Sequence, residues 1–301
     1  MSRAQTWLSV LLLLIVGGLM GVISNMVKLA VSQGWQPVAF LLWSLLGAGI
    51  VLLLLAIARG QAPSLQRNHL RYYLVSGLIS LTLPNALLFS AIPHVGAGYA
   101  AMCLAFPPLI TYLLALALKM EPARALRMLG IAIGLLGSLL LAVDKASSGD
   151  SPLAWVLAVL ATPVFLALGN IYRSRSWPTG ATPLALAPGM LLAGALLLTP
   201  AALIVDLSPL HHSPTALWLL LAQVLLFSTM YALYFMLQKI AGAVFLSQMG
   251  SVTALSGAGL AIYVFGEPGS PVMGLAALCI TLGVVLVALR RAPNTAQGAS
   301  T

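Results

Sequence analysis

Acidic residues are nearly missing from this chain of 301 residues, which has five of them against fourteen lysines and arginines. Charged residues amount to 6% and hydrophobic ones to 61%, where soluble domains carry roughly 25% and 45–50%. So few charges cannot solvate the surface of a soluble globule, and that class is excluded. The net charge of +9 forms no cluster or stripe, so the electrostatic footprint of a nucleic-acid binder is missing as well. Cysteine is limited to Cys103 and Cys279, both inside apolar runs, which indicates neither a disulfide framework nor a metal site. There is no H-E-x-x-H, no G-x-S-x-G and no P-loop lysine, and His69, His94, His211 and His212 fall in or beside loops. Without these signatures an enzyme is not expected, nor is a cofactor.

What the chain has in abundance is long apolar sequence. A membrane-spanning helix needs about 20 such residues, and ten stretches qualify, near 7–30, 37–58, 72–92, 97–118, 125–143, 152–172, 183–205, 214–237, 243–265 and 271–289. The expected fold class is therefore an all-α integral membrane protein with ten transmembrane helices. Arg3 followed by the apolar run from Trp7 has the shape of a signal peptide, but its match to the sixth stretch, given below, argues that it is retained.

Glu121-Pro122 and Glu267-Pro268 hold the only glutamates, and they lie 146 positions apart. The same offset superimposes Gly96-Ala97 on Gly242-Ala243, Leu109 on Leu255, Leu136-Gly137 on Leu282-Gly283 and Ala142 on Ala288. It also puts Asn85 on Tyr231 and Phe89 on Phe235, four residues apart in each copy and so on one helical face. An offset of 145 places Asn25-Met-Val-Lys28 on Asn170-Ile-Tyr-Arg173. The chain reads as an internal duplication: a first five-helix repeat over 1–143, a linker over 144–151, a second repeat over 152–291 and a polar, disordered cytoplasmic tail over 292–301. An odd number of crossings per copy makes the second copy enter from the opposite side, which gives two inverted five-helix repeats.

Basic residues fix the orientation. With the N-terminus inside, twelve of them fall on the cytoplasmic side, among them Arg59, Arg67, Arg71, Arg173, Arg175 and Lys239, while the outer loops receive Lys145 alone and Lys28 stays on a helix. Both termini are expected in the cytoplasm. Lys28 lies close to the outer end of the first helix, where it either snorkels to the interface or contacts substrate.

Each Glu-Pro pair opens a helix, where proline and a carboxylate suit the first turn. The alternative is that Glu121 and Glu267 latch an inner and an outer gate. Pro84, Pro107, Pro108, Pro163 and Pro188 fall inside expected spans and point to broken or kinked helices around a central site. Gly17, Gly21, Gly130, Gly134, Gly250, Gly257 and Gly259 are assigned to close helix packing. Polar and aromatic residues within spans form the candidate substrate-binding set: Asn25, Lys28, Trp43, Asn85, Phe89, Tyr99, Asn170, Tyr231, Tyr234, Phe235 and Gln248, with Ser80, Ser228, Ser251 and Thr253 beside them. The duplicated face predicts a cavity between the repeats lined by Asn85, Phe89, Tyr231 and Phe235. No acidic residue is expected at mid-membrane, so neutral, zwitterionic or anionic solutes suit the site better than bare cations, and proton coupling through a buried acid is not expected.

Pro108 stands thirteen residues before Glu121, and Gly130 and Gly137 follow; the second copy has Gly266-Glu267 and Gly283, and the first helix reads Gly21-Val-Ile-Ser-Asn25-Met-Val-Lys28. With these residues the chain resembles the EamA-type members of the drug/metabolite transporter superfamily over nearly its whole length. It departs from their pattern at Met20, where an aromatic is usual, at Ser44, where an arginine is often found, and at Ala254, which matches Pro108 in the second repeat. The resemblance implies ten helices in two inverted repeats, a central cavity, and export or import of small metabolites or drugs. Export of metabolites such as amino acids from a cytoplasmic (inner) membrane is the leading expectation, with a drug-efflux carrier or a non-transporting scaffold or receptor as the alternatives. Its partners would be a small-molecule substrate and the lipid bilayer, with no nucleic acid, and the protein would be a monomer or homodimer. The charge distribution makes the first testable statement: an impermeant thiol reagent applied outside should label a cysteine placed in 144–151 but not one placed in 59–71. Labelling of both from one side would remove the inverted repeat.

Overall fold

The computed structural model describes residues 3–120, 123, 125–147, 152–209, 212–267 and 269–288. Almost all of them are helical, because in an apolar surrounding each backbone N–H and C=O has to find a partner within its own segment. The helices are α1 (Arg3–Ser32), α2 (Pro37–Ala58), α3 (Arg67–Gly77), α4 (Leu83–Val95), α5 (Ala97–Cys103), α6 (Pro107–Ala117), α7 (Ala125–Ser147), α8 (Leu153–Arg175), α9 (Pro183–Leu198), α10 (Pro214–Ser247), α11 (Met249–Tyr263) and α12 (Pro271–Ala288). Prolines open α2, α9 and α10, where their missing N–H costs nothing. The hydroxyls of Thr182 and Ser213 accept from the amides of Ala185 and Ala216 and so cap α9 and α10.

Among the described residues there is no strand, and seven helical stretches are long and apolar enough to cross a membrane: Trp7–Ser32, Pro37–Ala58, Arg67–Val95, Ala97–Ala117, Leu153–Arg175, Pro183–Ala201 and Pro214–Ser247. Shorter apolar stretches, Met128–Gly137, Met249–Tyr263 and Pro271–Gly283, fall where the other three spans are expected. Leu11, Leu54, Leu139, Leu196, Leu225 and Leu278 are each more than half exposed. An apolar surface of that extent belongs against lipid rather than water.

The expected interruptions occur at some prolines and not at others. α3 passes into a π-helical turn at Leu78–Thr82 before α4 begins with Leu83-Pro84. α5 stops at Cys103, and α6 starts at Pro107-Pro108. By contrast, α8 and α9 run unbroken through Pro163 and Pro188. Gly96 precedes α5 at φ 88°, ψ 152°, and Gly242 kinks α10 at φ 77°, ψ 177°. Both adopt the positive φ that only glycine takes at little cost, at positions the repeat superimposes.

Glycines decide how closely the helices approach. α1 crosses α11 where a Cβ on Gly21 would reach the Gly257 amide at 2.7 Å, and α5 packs on the same point, where a Cβ on Gly257 would come within 2.6 Å of the Ala101 Cβ. The Asn25 Nδ2 fastens this seam by donating to the carbonyls of Gly257 at 2.9 Å and Gly21 at 3.0 Å, and Thr253 Oγ1 donates to the Gly17 carbonyl at 3.1 Å. α7 lies along α12, where a Cβ on Gly137 would meet the Ala276 carbonyl oxygen at 2.9 Å. Gly250 faces the chain break between α5 and α6, and any Cβ there would overlap the Leu104 carbonyl oxygen. Gly259 departs from the packing expectation, since nothing lies within 4 Å of where its Cβ would be. Gly250→Ala should therefore destabilise the fold by about 1–3 kcal/mol through overpacking, while Gly259→Ala should be neutral. Thermal unfolding of the purified protein in detergent tests the pair, and equal midpoints would refute the crossing.

Candidate functional site

The interrupted segments converge. The π turn after α3, the break between α5 and α6, the inner faces of α8 and α10 and the start of α11 enclose a cavity of about 560 Å³, counting its open mouth. Met20, Leu104, Pro107, Leu166, Met230, Leu246 and Met249 make most of its wall apolar. Its polar groups are Ser80, Asn85, Asn170, Arg173, Tyr231, Tyr234, Ser247 and Thr253.

Local geometry explains how these groups arrive. The π turn turns Ser80 against Gly169, where a Cβ would overlap its Oγ; such one-residue widenings of a helix are frequent at functional sites. The Ser80 Oγ is buried without a partner. One turn after Leu81, Asn85 donates its Nδ2 to the Leu81 carbonyl at 2.8 Å. Asn170 and Arg173 are three apart on α8 and share a face. The guanidinium donates through Nη2 to Asn170 Oδ1 at 2.7 Å and to the Tyr234 hydroxyl, and through Nε to Gln238 Oε1 at 2.8 Å. It also sits 5.0 Å from the centroid of the Tyr234 ring, close enough for a cation–π attraction. The Tyr234 hydroxyl donates in turn to Asn170 Oδ1 at 2.9 Å.

A second constellation joins α1, the start of α5 and the segment that follows α11. Lys28 Nζ pairs with Glu267 Oε1 at 2.7 Å, and the same carboxylate accepts from the amides of Ala97 and Gly98 at 2.9 Å each. Glu267 thus caps α5, a helix of the other half of the chain, with its charge on the positive end of that helix. Lys28 is 36% exposed and Glu267 13%. Burial pulls the Glu267 carboxyl upward, but the hydrogen bonds from Lys28, Gly98 and Ala97 outweigh it, and the net shift is below the usual value of 4.5.

The expected site residues separate into groups. Asn85, Asn170, Tyr231 and Tyr234 come together on the cavity wall. Phe89 and Phe235, expected beside them, stand behind that wall: Phe89 stacks on Phe227 at 6.3 Å, and Phe235 lies tilted against Trp177 at 6.0 Å. Asn25 lies on the α1–α11 seam and Lys28 in the ion pair with Glu267. Trp43 donates its Nε1 to the Leu207 carbonyl at 2.6 Å, away from the cavity. Tyr99 on α5 and Gln248 between α10 and α11 are buried, and neither lines it. Glu121 lies outside the described residues. Arg173, read from the sequence as marking a cytoplasmic helix end, does stand in the last turn of α8, and there it is 1% exposed and lines the cavity. The sequence signal for it was present, since it repeats Lys28 and follows Asn170 by three.

Among the described residues no group of three or more His, Cys, Asp or Glu is gathered where a metal ion could be held. The fold and cavity define a polytopic helical membrane protein with an internal polar site. Residues 7–143 match the EamA-like transporter family. No curated protein matches the chain. Among solved structures, one crystal structure superimposes with a TM-score of 0.64 at 19% identity, over 92% of this chain and 97% of that one. That likeness shows the fold.

The latch makes the next testable statement. Replacing Lys28 and Glu267 singly and together should give a coupling free energy of about 1 kcal/mol, the upper end for a partly exposed pair. A carboxyl whose folded pKa is lowered stabilises the fold above its ordinary pKa, and that contribution is lost as pH falls through the folded value. The coupling should therefore be constant from neutral pH to about 5 and decline below 4.5. Additive effects at pH 7 would show that the pair contributes nothing.

Proposed function

We propose that this protein is a carrier that moves small organic metabolites across a cytoplasmic membrane by alternating access, exporting amino acids or related solutes. The observation that carries the reading is the pairing of an internal cavity, built where helices are interrupted, with the Lys28–Glu267 ion pair that ties α1 to the segment following α11. A carrier of this kind needs a site near the middle and an occluding contact that can be exchanged between faces. The family match over residues 7–143 supports transport in general.

In this reading the chain forms ten membrane helices as two inverted five-helix repeats, 1–143 and 152–291, with both termini in the cytoplasm. The repeat-matched kinks at Gly96 and Gly242 support that arrangement. Asn85, Asn170, Tyr231 and Tyr234 contact the solute, and Glu267 is the outer gate. Uptake or counterflow of labelled amino acids in proteoliposomes containing the purified protein tests the reading. Saturable flux above protein-free vesicles is expected. A quaternary ammonium dye should not be exported under a pH gradient, because among the described residues no carboxylate lines the cavity. Gradient-driven dye export that Glu267→Gln abolishes would make the protein a drug-efflux carrier instead. No flux of any solute by well-folded protein would leave a non-transporting scaffold.

A further inference from the structure

We propose that Arg173 is the docking point for the carboxylate of an apolar-bodied organic acid or amino acid held in the central cavity. The inference deepens the transport reading and rests on it for the fate of the bound solute, although binding can be measured without transport.

An arginine near a membrane helix end ordinarily snorkels outward, carrying its charge to water. Arg173 does the reverse. Its Nη2 reaches back one turn along α8 to Asn170 and across to Tyr234 on α10, and the side chain is buried. Lys28, its counterpart in the repeat, ends on the Glu267 carboxylate. Arg173 has no such partner among the described residues: its acceptors are the carbonyl oxygens of Asn170 and Gln238 and the hydroxyl of Tyr234, all neutral. Desolvating an ion is costly unless it is paired as well as hydrogen-bonded, so the site is short of one negative charge.

The remaining donor capacity has the right shape for that charge. A guanidinium carries five N–H donors. Three are engaged through Nε and Nη2, which leaves the two on Nη1 with no acceptor among the described residues. The unpartnered Ser80 Oγ lines the same cavity and can add a donor to a second carboxylate oxygen. Planar donors of this kind recognise carboxylates better than a point charge would. The rest of the wall selects the body of the ligand. Met20, Leu166, Met230, Leu246 and Met249 form an apolar surface, suited to an aliphatic or aromatic group.

Equilibrium dialysis of the purified full-length protein against labelled phenylacetate and labelled phenylacetamide tests this directly, because the two probes share a body and differ in charge. Phenylacetate should bind at least about tenfold more tightly than the amide, the order of one charge-assisted hydrogen bond. Arg173→Gln should remove that preference by weakening acid binding more than amide binding, and Arg173→Lys should recover part of it. Equal affinity of the wild-type protein for acid and amide would overturn the proposal, as would failure of both to bind, and neither result depends on a variant that folds. Retention of the acid preference by monodisperse Arg173→Gln would overturn it too. Arg173-dependent acid binding without flux in proteoliposomes would keep the site and reject transport. Flux of solutes with no acid preference would keep transport and reject the site.

Discussion

Inside a bilayer an interrupted helix is tolerable only when something other than lipid satisfies the groups the interruption frees. Much of this structure follows from that constraint. The π turn at Leu78–Thr82 is tied to α9 by Thr82 Oγ1 donating to the Gly194 carbonyl at 3.0 Å. The start of α5, where amides would otherwise face outward unpaired, is met by the Glu267 carboxylate. The break before Pro107 borders the cavity. Two of these interruptions, the π turn through Ser80 and the break through Leu104 and Pro107, line the cavity.

The sequence made the class and the outline of this fold legible, for reasons that can be stated residue by residue. Apolar runs of about 20 residues have almost no alternative to spanning helices. The Gly96 and Gly242 match emerged as a shared backbone conformation, because positive φ is a demand that few residues meet. Proline was a weaker guide. Pro107 and Pro108 mark a break, whereas Pro163 and Pro188 sit within continuous helices, and neighbouring helices rather than proline itself decide between those outcomes. Gly259 was misread since spacing alone does not tell which face meets a neighbour.

The candidate site was half legible. Residue type and repeat register brought Asn85, Asn170, Tyr231 and Tyr234 into one set, and they share a wall. Phe89 and Phe235 satisfy the same periodicity but point into an aromatic column that runs through Phe227, Tyr231, Tyr234 and Trp177. Arg173 was hidden by a rule that works on average. Counting positive charges fixes which side a loop occupies, yet it says nothing about whether a side chain at the last turn extends to water or folds back along its helix.

Duplicated sequence also need not mean duplicated contacts. Asn25 and Asn170 are matched by the repeat, but one fastens α1 to α11 while the other receives Arg173. Lys28 and Arg173 diverge in the same way. Where the second half approaches the first most closely, Gly250 rests on the Leu104 carbonyl with no side chain between the two backbones. Interlocked side chains resist rotation because every tilt forces them past one another. A contact of bare backbone has no teeth. A side chain added at 250 would act as a wedge, because the Leu104 carbonyl oxygen already occupies the place its Cβ would take.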